Sequence, residues 1–179
     1  MGPFRYAQNL SGILAFLDQA WPALRAEFPQ LRLRILGGAE SAAIAAQDPR
    51  LRQPGVELIS AFVDPAPHLA QCSLSINPQI DIRGSSIKLI ESLLAGRVCV
   101  STGDGARGFG ADGLQGLVLS TDIANLAAAI APLLRDSALR RQRECADNHL
   151  LDNYTWDAMA QRQLALYHRL APTAAETHA

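Results

Sequence analysis

Short apolar runs alternate with amphipathic segments along most of the chain. The apolar runs, which predict β-strands, span residues 31–36, 56–63, 73–76, 98–101 and 117–119. Most of the segments between them carry apolar residues at three- and four-residue spacing, which is typical of helices that bury one face. Strands regularly separated by helices predict a parallel sheet with right-handed crossovers. We therefore expect an α/β fold with a doubly wound parallel sheet.

The first predicted helix is capped by Asn9 or Ser11 and runs to about Glu27. Further helices are expected up to Asp48, up to Gln71 and up to Gly96, and then at 123–134, 138–151 and 156–170. The chain enters its first helix almost directly, whereas a doubly wound domain normally opens with a strand. We therefore expect a domain that lacks its first strand, in a fragment of a longer protein. One domain is predicted over 1–170, followed by a disordered tail at 171–179.

Composition narrows the class of partner. A net charge of -1 without a run of basic residues argues against nucleic-acid binding, so small molecules or proteins are expected. The three cysteines are far apart and the four histidines lack ligand spacing, so neither disulfides nor a metal site are expected. No apolar run approaches the ~20 residues of a membrane span. We expect a cytoplasmic protein, either free or attached peripherally at the inner membrane face.

The stretch from Asn77 to Thr102 has the order strand, polar loop, helix and strand. In an open α/β sheet, ligands bind outside the carboxyl ends of the strands, where this loop lies. On the helix, Ile87, Ile90 and Leu94 predict one packing face, with Leu93 beside them. Lys88, Glu91 and Ser92 share the opposite stripe and are available for chemistry.

This loop and helix have the chemistry of a nucleotide site. Unpaired N–H groups at the helix start suit a diphosphate, Gly84 permits close approach, and Lys88 adds a positive charge. Ser85 and Ser86 add hydroxyl donors, and Glu91 can accept hydrogen bonds from a ribose diol. Two alternatives stay open: Lys88 and Glu91 can form a surface ion pair, and either serine can simply cap the helix.

The segment Gly103–Gly108 matches a dinucleotide-binding pattern, and Asp122 follows at the distance expected of a ribose-binding acid. The residues between Gly108 and the next strand include Gly110 and Gly113, and they are too few and too glycine-rich for a helical crossover. An NAD(P)-binding Rossmann domain is therefore the less favoured alternative. A flexible loop rich in positive-φ positions is the preferred interpretation.

Several segments, in order, resemble the C-terminal, donor-binding half of a GT-B retaining glycosyltransferase. They belong to the large family (glycosyl transferases group 1, family 4-like) typified by sucrose- and mannosyl-transferring enzymes. The matching segments are GPFRYAQN, SGILAFLDQAWPAL, LRLRILGG, VELISAFVDPAPHLAQCSLSINP, GSSIKLIESLLAGRVCVSTGDGARG and YTWDAMA. This resemblance covers essentially the whole chain, and it implies a Rossmann-like domain that binds a nucleoside diphosphate-sugar.

The resemblance also implies roles for individual residues. Glu91 matches the family's ribose-binding glutamate, and Lys88 matches a lysine near the diphosphate. Phe62, Val63 and Asp64 match the segment that lines the base, although Asp64 can also cap a helix. The turn that approaches the phosphates matches Gly2 and Arg5, and Arg5 can equally be a solvated surface residue.

One position departs from the family pattern. The first glutamate of the family's paired-glutamate motif falls at Arg83, so the catalytic residue stays unassigned. We hypothesise that Arg83 contacts phosphate or an acidic sugar, and an exposed loop arginine is the alternative. The resemblance further implies a retaining transferase without metal or cofactor, whose acceptor site lies on an N-terminal domain missing from this chain. A noncatalytic nucleotide-sugar-binding module is the second class of function that we consider.

Overall fold

A computed structural model describes residues 2–82, 84–109, 113–144 and 149–170 of the chain. The chain forms two compact units, Met1–Ala146 and Asp147–Ala179, and each is described by itself. Arg83, Cys145 and the predicted tail at 171–179 lie outside the described residues. The expectation of a single domain over 1–170 stays a prediction.

The strands of the first unit are shorter than the apolar runs that predict them. They are β1 (Leu33–Leu36), β2 (Val56–Ile59), β3 (Ser75–Asn77), β4 (Cys99–Thr102) and β5 (Leu117–Ser120). Its helices are α1 (Ala7–Gln19), α2 (Trp21–Glu27), α3 (Ser41–Gln47), α4 (Ala66–Gln71), α5 (Ile87–Leu94), α6 (Leu126–Arg135) and α7 (Ser137–Arg143), with a 3-10 turn at Pro49–Arg52. The second unit contains α8 (His149–Asp152) and α9 (Trp156–Leu170).

All recorded strand pairs in the described residues are parallel, which confirms the predicted sheet type. Strands β1 and β2 form one sheet, and β3, β4 and β5 form another in that order. The register places Leu33 beside Val56 in the first sheet and Ser75 beside Cys99 in the second. The carboxyl ends of neighbouring strands therefore lie at the same edge of each sheet.

A single hydrophobic cluster joins both sheets to the helices that cover them. It includes Phe16 of α1, Trp21 of α2, Ile35 of β1, Val100 of β4 and Ile130 of α6, all buried. Full burial of a large apolar side chain contributes about 1.5–3 kcal/mol, so these residues account for much of the stability of the first unit.

The first helical segment is two helices, so the prediction of one helix to Glu27 is wrong. The break falls at Ala20, directly before Trp21 and Pro22. A proline inside a continuous helix lacks the N–H donor and clashes with the carbonyl four residues earlier, whereas it is tolerated in a first turn. The helix also begins earlier than predicted, after Tyr6, so Asn9 does not cap it.

Helix α5 ends before Gly96 as predicted, but its predicted packing face is right only for Ile90 and Leu93. Ile87 and Leu94 are about half exposed. The buried residues are Leu89, Ile90, Ser92 and Leu93. The apolar residues cover nearly half of the helix circumference, and the part that contains Leu89 and Leu93 faces the core. Consequently Glu91 shares the exposed stripe with Ile87 and Leu94, and Lys88 lies at its boundary.

The glycine-rich segment after β4 forms turns and no helix over 103–109. The interpretation as a loop is therefore right. Of the glycines in this stretch only Gly108 has a positive φ, of 84°, so the loop contains fewer positive-φ positions than expected. Asp122 accepts a hydrogen bond of 2.8 Å from the backbone N–H of Asn125, just before α6. This bond is the largest cause of the lowered pKa of Asp122, which therefore acts as a local turn and capping residue.

Candidate functional site

The loops that follow β1, β2 and β3 converge around an open cleft of 620 Å³ with the start of α5. Gly38 follows β1, Phe62 and Val63 follow β2, and Gln79 and Ile82 follow β3. In parallel α/β sheets this edge is where ligands bind, because the loops there diverge and leave a crevice.

The start of α5 faces this cleft without a side-chain cap. Ser86 is the N-cap residue by position, but its hydroxyl makes no capping bond. It donates instead to Oδ1 of the buried Asn77, at 3.2 Å. The alternative in which Ser86 caps the helix is therefore wrong. Leu89 N–H donates to the carbonyl of Ser86 at 3.0 Å, and the N–H groups of Ile87 and Lys88, which no side chain caps, are the ones that a ligand can use.

Asn77 holds the base of the site together. Its side-chain amide donates to the hydroxyl of Ser101 at 3.2 Å and to the carbonyl of Gly105 at 2.9 Å. The amide thus connects the carboxyl ends of β3 and β4 to the Gly-rich loop and, through Ser86, to α5. Because Asn77 is 1% exposed, loss of this side chain would leave several buried polar groups unpaired.

Gly84 and Ser85 form the exposed rim of the cleft beside the helix start. Gly84 has a φ of +98°, which side chains rarely adopt, and a Cβ added there would meet nothing within 4 Å. Glycine is therefore needed for the backbone conformation and leaves the surface open toward a ligand.

Lys88 projects from α5 toward the N-terminal loop and donates a short hydrogen bond from Nζ to Oδ1 of Asn9. Burial lowers the pKa of Lys88 to about 8, and the charge of Glu91 partly opposes that effect. Within the described residues, the ammonium pairs with Asn9 and forms no ion pair with Glu91. Lys88 is thus a partly desolvated cation at the cleft wall rather than half of a surface ion pair.

Gly2 brings the N-terminal backbone against the same wall. A Cβ at Gly2 would lie 2.7 Å from Nδ2 of Asn9 and 3.1 Å from Nζ of Lys88, and its φ is +133°. Asn9 also donates to the carbonyl of Pro3 at 3.0 Å. Asn9 therefore fixes both the loop and the lysine, a role that its position near the start of α1 does not reveal from sequence.

Arg5 lies apart from these groups. Its guanidinium stacks over the ring of Tyr6, 4.9 Å from the centroid, and donates to the phenol oxygen at 3.2 Å. Arg5 is exposed and does not line the cleft. The structure thus favours the surface alternative for Arg5.

The opposite wall comes from the loop after β2. Phe62 is 89% exposed there, and Val63 lies beside it. Asp64 accepts a hydrogen bond of 3.0 Å from the N–H of Ala66, so its capping alternative is present in the structure. An exposed aromatic ring at a cleft edge offers a flat apolar surface to a planar ligand.

The structure brings eight of the ten predicted site residues around one cleft, namely Gly2, Phe62, Val63, Gly84, Ser85, Ser86, Lys88 and Glu91. Arg5 lies outside it, and Arg83 falls outside the described residues. Sequence reasoning missed Asn9, Asn77 and Gln79. Among these, Asn77 carried a signal, since a polar residue at the end of an apolar strand must find buried partners.

No group of three His, Cys, Asp or Glu side chains in the described residues is placed to hold a metal ion. None of the helices described is long and apolar enough to pass through a membrane.

Comparison with known proteins identifies the family. The family model described as glycosyl transferases group 1 matches residues 1–136. The chain belongs to this family. A curated relative, the phosphatidyl-myo-inositol mannosyltransferase of Mycobacterium leprae (strain TN), is 28% identical over 171 residues, which are 93% of this chain and 45% of that protein. The chain therefore spans less than half the length of this relative.

Solved structures of glycosyltransferases share the fold. Sucrose-phosphate synthase from Thermosynechococcus elongatus superposes with a TM-score of 0.68 at 19% identity, covering 89% of this chain and 42% of that one. WaaG, a glycosyltransferase involved in lipopolysaccharide biosynthesis, gives a TM-score of 0.62 at 19% identity, with 89% and 43% covered. The group 1 chain is thus a Rossmann-like half of the GT-B architecture, which confirms the family and fold inferred from the sequence.

Proposed function

We propose that this group 1 chain is the donor-binding domain of a glycosyltransferase and binds a nucleoside diphosphate-sugar in the cleft at the start of α5. The observation that carries the proposal is the convergence of three groups on that cleft. They are the uncapped helix N-terminus, the desolvated ammonium of Lys88 and the exposed carboxylate of Glu91. A cation beside phosphates and a carboxylate beside a sugar diol is the arrangement that a nucleotide requires.

The diphosphate occupies the end of the cleft formed by Gly84, Ser85 and the first turn of α5. Free N–H groups at a helix N-terminus point at an anion, and the helix dipole favours negative charge there. Lys88 is the second residue of α5 and reaches the same region from within the first turn, where the glycine at position 2 places no side chain against its ammonium.

The ribose and base extend toward Glu91 and the loop after β2. Glu91 lies on the exposed stripe of α5, where both carboxylate oxygens can accept hydroxyl hydrogen bonds. Phe62 and Val63 border the far end of the cleft and offer apolar surface and backbone groups to the base.

The chemistry proposed is transfer of the sugar with retention and without metal. As the glycosidic bond to phosphate breaks, negative charge grows on the departing diphosphate. Lys88 and the helix N-terminus are already oriented toward it, and one such preorganised donor is typically worth about 3–4 kcal/mol of barrier. The group that acts at the transferred sugar stays unassigned, and the role of Arg83 is the hypothesis stated above.

The acceptor is proposed to bind on a second domain, because the chain spans less than half of the transferases that it resembles. We expect the present chain alone to bind nucleotide weakly and to transfer no sugar. A radiolabelled-sugar assay on the purified chain checks this, and measurable turnover would refute it.

Calorimetric titration with UDP-, GDP- and ADP-sugars tests the donor site directly. We expect one of the three to bind, and Glu91→Ala to weaken it by about 100-fold or more through loss of two hydroxyl hydrogen bonds to a charged group, each worth about 1.5–3 kcal/mol. Glu27→Ala is the matched control, since that carboxylate only pairs with Arg135 outside the cleft. Equal affinity in both variants would contradict the assignment. Binding without transfer by the complete protein, acceptor domain included, would favour the noncatalytic module.

A further inference from the structure

The glycine-rich loop after β4, residues 103–108, has no part in the proposed function, yet it packs against the donor cleft. Its neighbour there is the connection between β3 and α5, whose described residues are 78–82 and 84–86 and which we call the donor loop. Both described parts of the donor loop line the cleft. Contacts that fix the backbone of the donor loop therefore also fix the shape of the phosphate end of the cleft.

The two loops are in contact at both ends of the donor loop. The hydroxyl of Thr102 donates to the carbonyl of Gln79 and accepts a hydrogen bond of 3.1 Å from the N–H of Gly105. At the other end, a Cβ added at Gly108 would lie 2.5 Å from Oγ of Ser85. The glycine-rich loop thus approaches the donor loop too closely for a side chain at that position.

Two side chains of the glycine-rich loop bind the middle of the donor loop. Oδ2 of Asp104 accepts a hydrogen bond of 2.9 Å from the N–H of Asp81. Arg107 donates from Nη1 to the carbonyl of Ile82 at 3.2 Å, and from Nη2 to Oδ1 of Asp104 at 2.9 Å. The ion pair of Asp104 and Arg107 therefore binds one donor and one acceptor on consecutive residues of the donor loop.

The backbone at this point has an unfavourable conformation. Asp81 has a φ of +51° and is the only non-glycine residue with a positive φ in the described part of the chain. The left-handed region is disfavoured for any residue that carries a Cβ, and such a conformation persists where the surroundings enforce it. Asp81 is exposed, so burial does not supply that constraint. The hydrogen bond from its N–H to Asp104 acts directly at this residue.

Global stability does not account for the ion pair. The side chains of Arg107 and Asp104 are 57% and 34% exposed, and an exposed pair contributes little to the stability of a fold. The pair of Arg135 and Glu27 is a close match in exposure, at 58% and 38%, and lies away from the cleft. Any effect that is particular to Asp104 and Arg107 should therefore appear in the donor loop.

We propose that Asp104 and Arg107 are positioning residues of the donor site, a role that rests on the proposed function. They hold Asp81 in the left-handed conformation and so set where Gly84 and Ser85 lie beside the first turn of α5. Neither of these two side chains lines the cleft, so they act through the donor loop and not on the ligand. The glycine-rich loop is thus a support for the phosphate site.

Calorimetry with UDP-, GDP- and ADP-sugars tests the effect on binding. We expect Asp104→Ala to weaken the nucleotide-sugar that binds by about 5- to 30-fold, the factor that matches the cost of a left-handed residue. Arg107→Ala should weaken it severalfold, and the control Arg135→Ala should leave it unchanged. All three variants should unfold at similar urea concentrations.

A second substitution separates positioning from a general structural effect. Asp81→Gly in the Asp104→Ala chain should restore most of the lost affinity, because glycine adopts a positive φ without help from a neighbour. Unchanged affinity in Asp104→Ala would overturn the proposal. A loss that Asp81→Gly leaves undiminished would overturn it as well.

Amide hydrogen exchange, measured by NMR without ligand, keeps this proposal distinguishable from the proposed function. The Asp81 amide should exchange severalfold faster in Asp104→Ala than in Arg135→Ala, and the amide resonances of Gly84 and Ser85 should shift. If no nucleotide-sugar binds the unaltered chain, the proposed function fails, and this measurement alone decides whether Asp104 positions the donor loop. Equal exchange at Asp81 together with unshifted Gly84 and Ser85 resonances would overturn that role.

Discussion

Replacement of Lys88 by methionine should stabilise the fold while it weakens donor binding. Lys88 is the only lysine in the chain, and burial lowers the pKa of its ammonium from 10.5 to about 8. A lowered lysine pKa means that the folded state disfavours the charged form, so the charge is held at the cleft wall against its own solvation. Methionine keeps a similar length without the charge.

The magnitude follows from the pKa. A shift from 10.5 to about 8 corresponds to about 3 kcal/mol at pH 7, and partial exposure of the side chain reduces this through solvent screening. We therefore expect Lys88→Met to raise the free energy of unfolding by about 1–3 kcal/mol. Loss of a charge-assisted hydrogen bond to phosphate should at the same time weaken nucleotide binding by about 10- to 150-fold.

The sign of the pH dependence is also determined. Between about pH 8 and 10.5 the folded state binds fewer protons at Lys88 than the unfolded state, so stability gains from this group as pH rises through that window. Below pH 8 the cost of the buried charge is fully present. Nucleotide affinity should move in the opposite direction, falling above pH 8 as the ammonium loses its proton.

Urea unfolding of the wild-type and Lys88→Met chains at pH 7 and pH 10 measures the free energy of unfolding, and calorimetry measures the nucleotide affinity. Reductive methylation with a labelled carbon places one side-chain probe on the chain, because there is a single lysine. An ammonium that titrates near 10.5, together with a less stable Lys88→Met protein at pH 7, would refute the reasoning about burial.

Three further variants probe the surroundings. Asn77→Ala should lower the free energy of unfolding by about 2–4 kcal/mol in urea titrations, because Ser86 and other buried groups lose their partner; a change under 0.5 kcal/mol would show that water replaces the amide. Gly2→Ala should reduce nucleotide affinity severalfold in calorimetry, because its Cβ would clash with the side chain of Asn9, which binds Lys88. Unchanged affinity would show that the N-terminal loop moves to accommodate the Cβ. Arg83→Glu should weaken donor binding by about tenfold or more if Arg83 contacts phosphate or an acidic sugar; unaltered affinity refutes that hypothesis.

The fold was largely predictable because its signals are local. Apolar runs separated by helical periodicity identify parallel strands, and Gly96 marks the end of α5 where the structure places it. The break at Ala20 was also available in principle, since Pro22 cannot sit deep inside a helix. These features depend on residues within one or two turns of each other.

The orientation of side chains around the site was less predictable. Helix α5 offers two apolar stripes, and only contact with the sheet decides that Leu89 and Leu93 face inward. Likewise the hydroxyl of Ser86 has two nearby partners, its own helix and Asn77, which is nine residues away. Sequence spacing favours a local cap, whereas in the folded chain the Ser86 hydroxyl donates to the buried side-chain amide oxygen of Asn77.

That choice by Ser86 links stability to binding. A side-chain N-cap bond would occupy a backbone donor that a phosphate needs, whereas the bond to Asn77 satisfies a buried acceptor and leaves the N–H groups of Ile87 and Lys88 without a side-chain cap. Lys88 shows the same pattern, because its charge is partly desolvated before any ligand arrives. Donors held in place without a ligand need little reorganisation when a diphosphate binds or departs, which is the condition for electrostatic stabilisation of a leaving group. The same reasoning explains why substitutions that relieve these costs should stabilise the chain and weaken its proposed function.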